Sequence, residues 1–118
     1  MTASSLTGMR ISIIIPVFNE AEGLPGILGH LASLCGRDTE IIVVDGGSED
    51  DSRQAALRAG AQVIRSERGR ARQMNAGAAA ARGDILLFLH ADTALPPSAE
   101  QAIETAILRG GGAHEHVW

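Results

Sequence analysis

The chain has 118 residues, 45 % of them apolar, enough for one domain with one core. Only 3 % are aromatic and the formal net charge is −4, which argues against a base-stacking platform or a phosphate-backbone surface, so nucleic acid is not an expected partner. No apolar run approaches membrane-spanning length, Met1 to Met9 lacks a signal-peptide pattern, and the lone Cys35 cannot close an internal disulfide, so the expected setting is the reducing cytoplasm.

The first eight residues are mostly small and polar, and residues 1–9 read as a disordered leader. The run Ile11 to Val17 predicts a first strand. Leu24, Ile27, Leu28, Leu31 and Leu34 then recur at the three-and-four spacing of a helix face packed on a sheet. Asn19 with Glu22 resembles a capping pair for that helix, and Pro25 fits only its first turn. Glu40 to Val44 predicts a second strand, and Ser48 with Asp51 a capping box for a helix ending near Gly60. A short third strand follows at Ala61 to Ile64. An alanine-rich helix runs from Arg70 to Ala81, where Gly77, Ala78 and Ala81 would let it lie close to the sheet. Ile85 to Leu89 is a fourth strand, and Ser98 with Gln101 opens a fourth helix. Residues 110–118 begin with three glycines and carry no pattern; they read as an irregular tail, with His114 and His116 part of it rather than metal ligands.

Strict βα alternation implies an α/β fold with a parallel sheet, right-handed crossovers and strand order 3-2-1-4, spanning residues 10–109. The apolar strands end in polar residues: Asn19-Glu20, Asp45, and His90-Ala91-Asp92. Ligands of open parallel sheets sit beyond the carboxyl ends of strands. Carboxylates placed at three such ends repel one another, a cost that a cation or a hydrogen-bonded ligand offsets. His90 and Asp92 lie two residues apart, on one side of a strand, which suits a divalent cation and its diphosphate. Taken alone, the triplet equally allows Asp92 as a cap and His90 as an ordinary edge histidine. Arg70 and Arg72 open a helix where cations are unfavourable, which anion binding would explain; a solvated helix start is the plainer account.

Several classes are disfavoured. No Gly-x-Gly-x-x-Gly follows the first strand, and no Gly-Lys-Ser/Thr loop or Gly-x-Ser-x-Gly elbow is present. The chain contains no lysine, which a receiver-type phosphorylation domain would need. A nucleotidyltransferase would want a basic, glycine-rich loop where the acidic Asn19-Glu20-Ala21-Glu22 stands.

Four motifs in order resemble the amino-terminal half of a family 2 glycosyltransferase: Ile13 to Glu20, Ile42 to Ser48, Asn75-Ala76-Gly77, and Ala81 to Asp92. The resemblance covers about Arg10 to Leu108. The segment Gly69 to Asn75 and the His-Ala-Asp triplet look closest to a bacterial subgroup found beside radical-SAM and selenium-related genes. The resemblance implies the Rossmann-like half of a GT-A fold and an inverting, metal-dependent transferase acting on a nucleotide diphosphate sugar and an acceptor of unknown identity. It places Pro16, Phe18 and Glu20 around base and ribose, Asp45 on the nucleobase, and Asp92 on Mg2+ or Mn2+. His90 stands in place of a first carboxylate, Gly46 in place of a second acidic residue, and Met74 in place of an arginine for which Arg70 or Arg72 would substitute. The acceptor base of the family lies in its second half, so the expectation is a truncated transferase or donor-binding half. The alternative is a non-catalytic nucleotide-binding module. A free edge on the fourth strand would then favour self-association.

Overall fold

The computed structural model describes residues 10–34, 39–91 and 114–117. Elements alternate as expected: β1 (Ile11–Val17), α1 (Leu24–Leu34), β2 (Thr39–Asp45), α2 (Ser52–Arg58), β3 (Gln62–Arg65), α3 (Arg70–Ala80), β4 (Ile85–Leu89) and β5 (His114–Val117). All pairings are parallel and the strand order is β3-β2-β1-β4-β5, so the expected 3-2-1-4 arrangement stands with one strand added. Leu86 is opposite His114 and Leu89 opposite Val117. The segment 110–118 is therefore not wholly irregular. The edge of β4 that was expected to be free is paired within the chain, and β5 stands as the outer strand on that side. The leader, Cys35, Asp92 and the helix expected from Ser98 lie outside the described residues.

Apolar strands with no polar alternation must be covered on both faces, and they are. Along β1, Ile11, Ile13, Ile15 and Val17 join Leu24, Ile27, Leu28 and Leu31 of α1 and Ala56 of α2 in one core. Ile14, with Ile42 and Val44 of β2, packs on the opposite face against Ala76, Ala78 and Ala80 of α3. Gly77 makes that second contact close: a Cβ there would collide with Ile14 Cγ2 and stand 3.0 Å from Val44 Cγ2. The chain leaves β1 toward β2 and β3 on one side and reaches β4 on the other. The sheet thus reverses its order of addition at the β1/β4 boundary, where parallel sheets open a crevice at their carboxyl ends.

Two expected caps form differently. Asn19 does not cap α1; it adopts φ 54° in the turn after β1, a region that asparagine tolerates better than most residues. Asp51 is the residue before α2 and makes no side-chain cap, while Ser48 is engaged elsewhere.

Candidate functional site

A cleft of about 150 Å3 opens at the β1/β4 boundary, lined by Pro16, Val17, Phe18, Glu20, Arg70, Gln73, His90 and Ala91. Five residues singled out from the sequence therefore meet there: Pro16, Phe18, Glu20, Arg70 and His90. The ends of β1 and β4 supply Phe18 and His90, and the first turn of α3 supplies Arg70. The cleft combines an aromatic ring, a guanidinium, a carboxylate and an imidazole. The guanidinium of Arg68 covers the Phe18 ring at 3.9 Å from its centroid, a cation–π contact the sequence did not disclose.

The loops below the cleft are stitched together. The Asn19 N–H donates to Ser48 Oγ (2.8 Å), and Asn19 Oδ1 accepts from the Glu49 N–H (2.8 Å). The Glu20 N–H donates to Ser52 Oγ (2.8 Å) and the Ala21 N–H to Asp50 Oδ2 (3.2 Å). The Ser52 hydroxyl, donating to Asp50 Oδ1, does most to hold the Asp50 carboxyl below the usual carboxylate range. A weak burial effect opposes it, and the N–H groups of Ser52, Ala21 and Asp50 itself add to the lowering. These bonds pre-build the turn that carries Phe18 and Glu20.

Asp45 ends β2 as expected but does not line the cleft. It is 0 % exposed. Its Oδ2 accepts the Gly47 N–H (3.1 Å) and the Ser48 N–H (3.0 Å), with Arg53 Nε 3.9 Å away. In this arrangement it fastens the turn after β2. Arg72 also lies off the cleft wall: its Nη1 pairs with Glu67 at 2.6 Å on the surface. Of the two arginines weighed from the sequence, Arg70 is the one in the cleft.

Sequence reasoning missed Gln73. It is 4 % exposed, and its amide bridges three elements. Nε2 donates to Val17 O and to Val44 O, both at 2.9 Å, and Oε1 accepts the Gly69 N–H at 3.1 Å. The legible signal was spacing: Gln73 and Gly77 are one helical turn apart and are the buried residues of α3.

Among the described residues, no three histidine, cysteine, aspartate or glutamate side chains come together to hold a metal. A magnesium-like cation is often held by one or two carboxylates together with substrate phosphates, so a complete protein cage is not required. The cleft's Glu20 and His90, the latter two residues before Asp92, are compatible with that kind of site.

Fold and cleft define a doubly wound α/β protein with a ligand crevice at its switch point. The chain belongs to glycosyl transferase family 2, whose model matches residues 12–110, and the sheet is the parallel half of a GT-A fold. It is 38 % identical to an undecaprenyl-phosphate 4-deoxy-4-formamido-L-arabinose transferase of Pseudomonas fluorescens (strain SBW25), over 74 % of this chain and 29 % of that protein. It is 30 % identical to a glucosyl-3-phosphoglycerate synthase of Mycolicibacterium paratuberculosis (strain ATCC BAA-968 / K-10), over 91 % of this chain and 36 % of the other. Among solved structures, it resembles Mycobacterium tuberculosis glucosyl-3-phosphoglycerate synthase in complex with Mn2+, uridine diphosphate and phosphoglyceric acid. That match has a TM-score of 0.76 and 28 % identity, and covers 92 % of this chain and 42 % of that one. The chain spans about a third of the length of these two curated relatives. No helix among the described residues is long and apolar enough to cross a membrane.

Proposed function

We propose that the chain forms the donor-binding half of an inverting, metal-dependent glycosyltransferase that takes its sugar from a nucleotide diphosphate sugar. The observation that carries this reading is the joining of Phe18, Glu20, Arg70 and His90 in one cleft at the switch point of a family 2 sheet. In this reading Pro16 and Phe18 give the nucleobase an apolar wall, Glu20 accepts hydrogen bonds from ribose hydroxyls, and Arg70 faces the diphosphate. Asp45 acts on the base side through the turn that it fastens. Asp92 would hold Mg2+ or Mn2+, which when bound neutralises the diphosphate as it leaves. Transfer also needs a base for the acceptor hydroxyl, and no residue of this chain is assigned that role.

The solved relative in complex with Mn2+ and uridine diphosphate supports the choice of probe. The test is calorimetric titration with uridine, guanosine and adenosine diphosphates, with and without Mn2+. One nucleotide should bind in preference, and more tightly with the cation. No binding of any of them under either condition would remove the proposal. Binding that ignores the cation would favour the non-catalytic module and unseat Asp92.

A further inference from the structure

Gln73 lines the cleft but has little left to offer a ligand. Both amide hydrogens are taken, by Val17 O and Val44 O, and Oε1 accepts from the Gly69 N–H. Two carbonyls at one end and an N–H at the other fix which way the amide points. Its backbone grips the same neighbour, for the Gln73 N–H donates to Gly69 O at 2.8 Å. Gly69 is thus held by its N–H and its carbonyl, at φ 141°, a conformation that favours glycine. Arg70 is the next residue and the first of α3, so the direction in which it leaves the turn is set there. On the far side, Gly46 makes room: a Cβ at that position would stand 2.8 Å from both Cδ and Oε1 of Gln73.

A buried amide is a costly way to fill such a slot when an apolar side chain of equal length would do. Val17 O is already served by the Gly46 N–H at 3.0 Å, so the sheet end does not depend on the amide for that partner. What the amide uniquely does is lock β1, β2 and the first turn of α3 together. Two of those elements bear the cleft's Phe18 and Arg70. We infer that Gln73 is a positioning residue, which holds Arg70 at the diphosphate side of the cleft without itself touching the ligand. The inference rests on the donor-site reading above.

The test is a double-mutant cycle in uridine diphosphate binding with Mn2+, read by calorimetry on the full chain. Arg70→Ala should weaken binding about tenfold, the loss of one charge-assisted contact. Gln73→Met, of matching length and apolar, should weaken it about three- to tenfold with the helical spectrum kept. The double variant should be no weaker than Arg70→Ala alone, because Gln73 acts through Arg70. Ser12→Ala, at the opposite end of the sheet, serves as the stability control and should bind like the parent. Should Gln73→Met not fold, Gly46→Ala pushes the same amide from the other side and enters the same cycle. Losses that multiply, or a Gln73→Met variant that binds like the parent, would overturn this inference and leave the donor site standing. A parent that does not bind uridine diphosphate would overturn both.

Discussion

Ser12 is a hydroxyl near the start of an isoleucine-rich strand, and its removal should be costly and pH-dependent. It is fully buried, opposite Glu40 of β2. Its Oγ donates to Glu40 Oε2 at 2.5 Å and accepts the Gly83 N–H at 2.9 Å. The Arg82 N–H donates to the same carboxylate oxygen at 2.6 Å. Ser12→Ala deletes a charge-assisted bond, worth about 1.5 kcal/mol once the partial solvation of Glu40 is allowed for. It also leaves the half-buried Gly83 N–H without its acceptor, a further cost of about 1–2 kcal/mol. The expected loss near pH 7 is about 2.5–3.5 kcal/mol, a sizeable part of an ordinary domain's stability. Burial pushes the Glu40 carboxyl up. The Ser12 hydroxyl, the Arg82 N–H and the charges of Arg10 and Arg82 together outweigh it, and the pKa lies below its usual value. A carboxyl depressed in the folded state contributes fully above the unfolded pKa, about 4.3 for glutamate, and loses that contribution as pH falls through the folded value. The gap between parent and Ser12→Ala should therefore narrow on acidification. Urea unfolding followed by circular dichroism at neutral and acid pH measures both quantities. A Ser12→Ala variant within about 0.5 kcal/mol of the parent at neutral pH, below the cost of even one lost bond, would refute the reasoning. So would a gap that does not change with pH.

Gly77→Ala should destabilise by about 1–2 kcal/mol, because overpacking against Ile14 and Val44 exceeds the gain in helix propensity; chemical denaturation measures it. Asp45→Asn should cost about 1–2 kcal/mol, since an amide oxygen still accepts one of the two N–H groups of the turn, and should weaken nucleotide binding with or without cation. Asp92→Asn should weaken only the cation-dependent part, because a neutral amide is a poor ligand for a hard ion; titration with and without Mn2+ separates the two. Arg68→Ala should cost less than about 1 kcal/mol of stability, as befits an exposed cation–π pair, in the same urea experiment.

Much of the fold was legible because strand signals here are strong and local. Ile11–Val17 is apolar but for Ser12, Ile85–Leu89 is apolar throughout, and both strands form with those limits. The caps were misread because a short polar side chain near a helix start has more than one use. Nothing between Asn19 and Glu22 shows that Asn19 Oδ1 will be claimed by the Glu49 N–H, thirty residues later. The strand-end rule located Asp45 correctly but was silent on its direction. The N–H groups of Gly47 and Ser48, supplied by the turn itself, hold its carboxylate, and Asp45 is not among the residues that line the cleft. β5 was illegible because its residues show no alternation; the edge of β4 supplies the pairing that the local pattern lacks.

Gln73 escaped for an instructive reason. Glutamine is a good helix former and usually solvated, so composition places it outside. What brings it inside is a glycine one turn later. Gly77 lets α3 settle onto Ile14 and Val44, and only a helix that close can extend a two-carbon amide to the carbonyls of Val17 and Val44. Gly46 then clears the space that the amide enters. Close docking at one end of the stripe and polar locking at the other are thus one device, and its product is the placement of Arg70. A side chain added at Gly77 would lift the helix and lengthen the Gln73 bonds. Packing in the interior of the sheet and the geometry of the cleft are coupled through a single helix face.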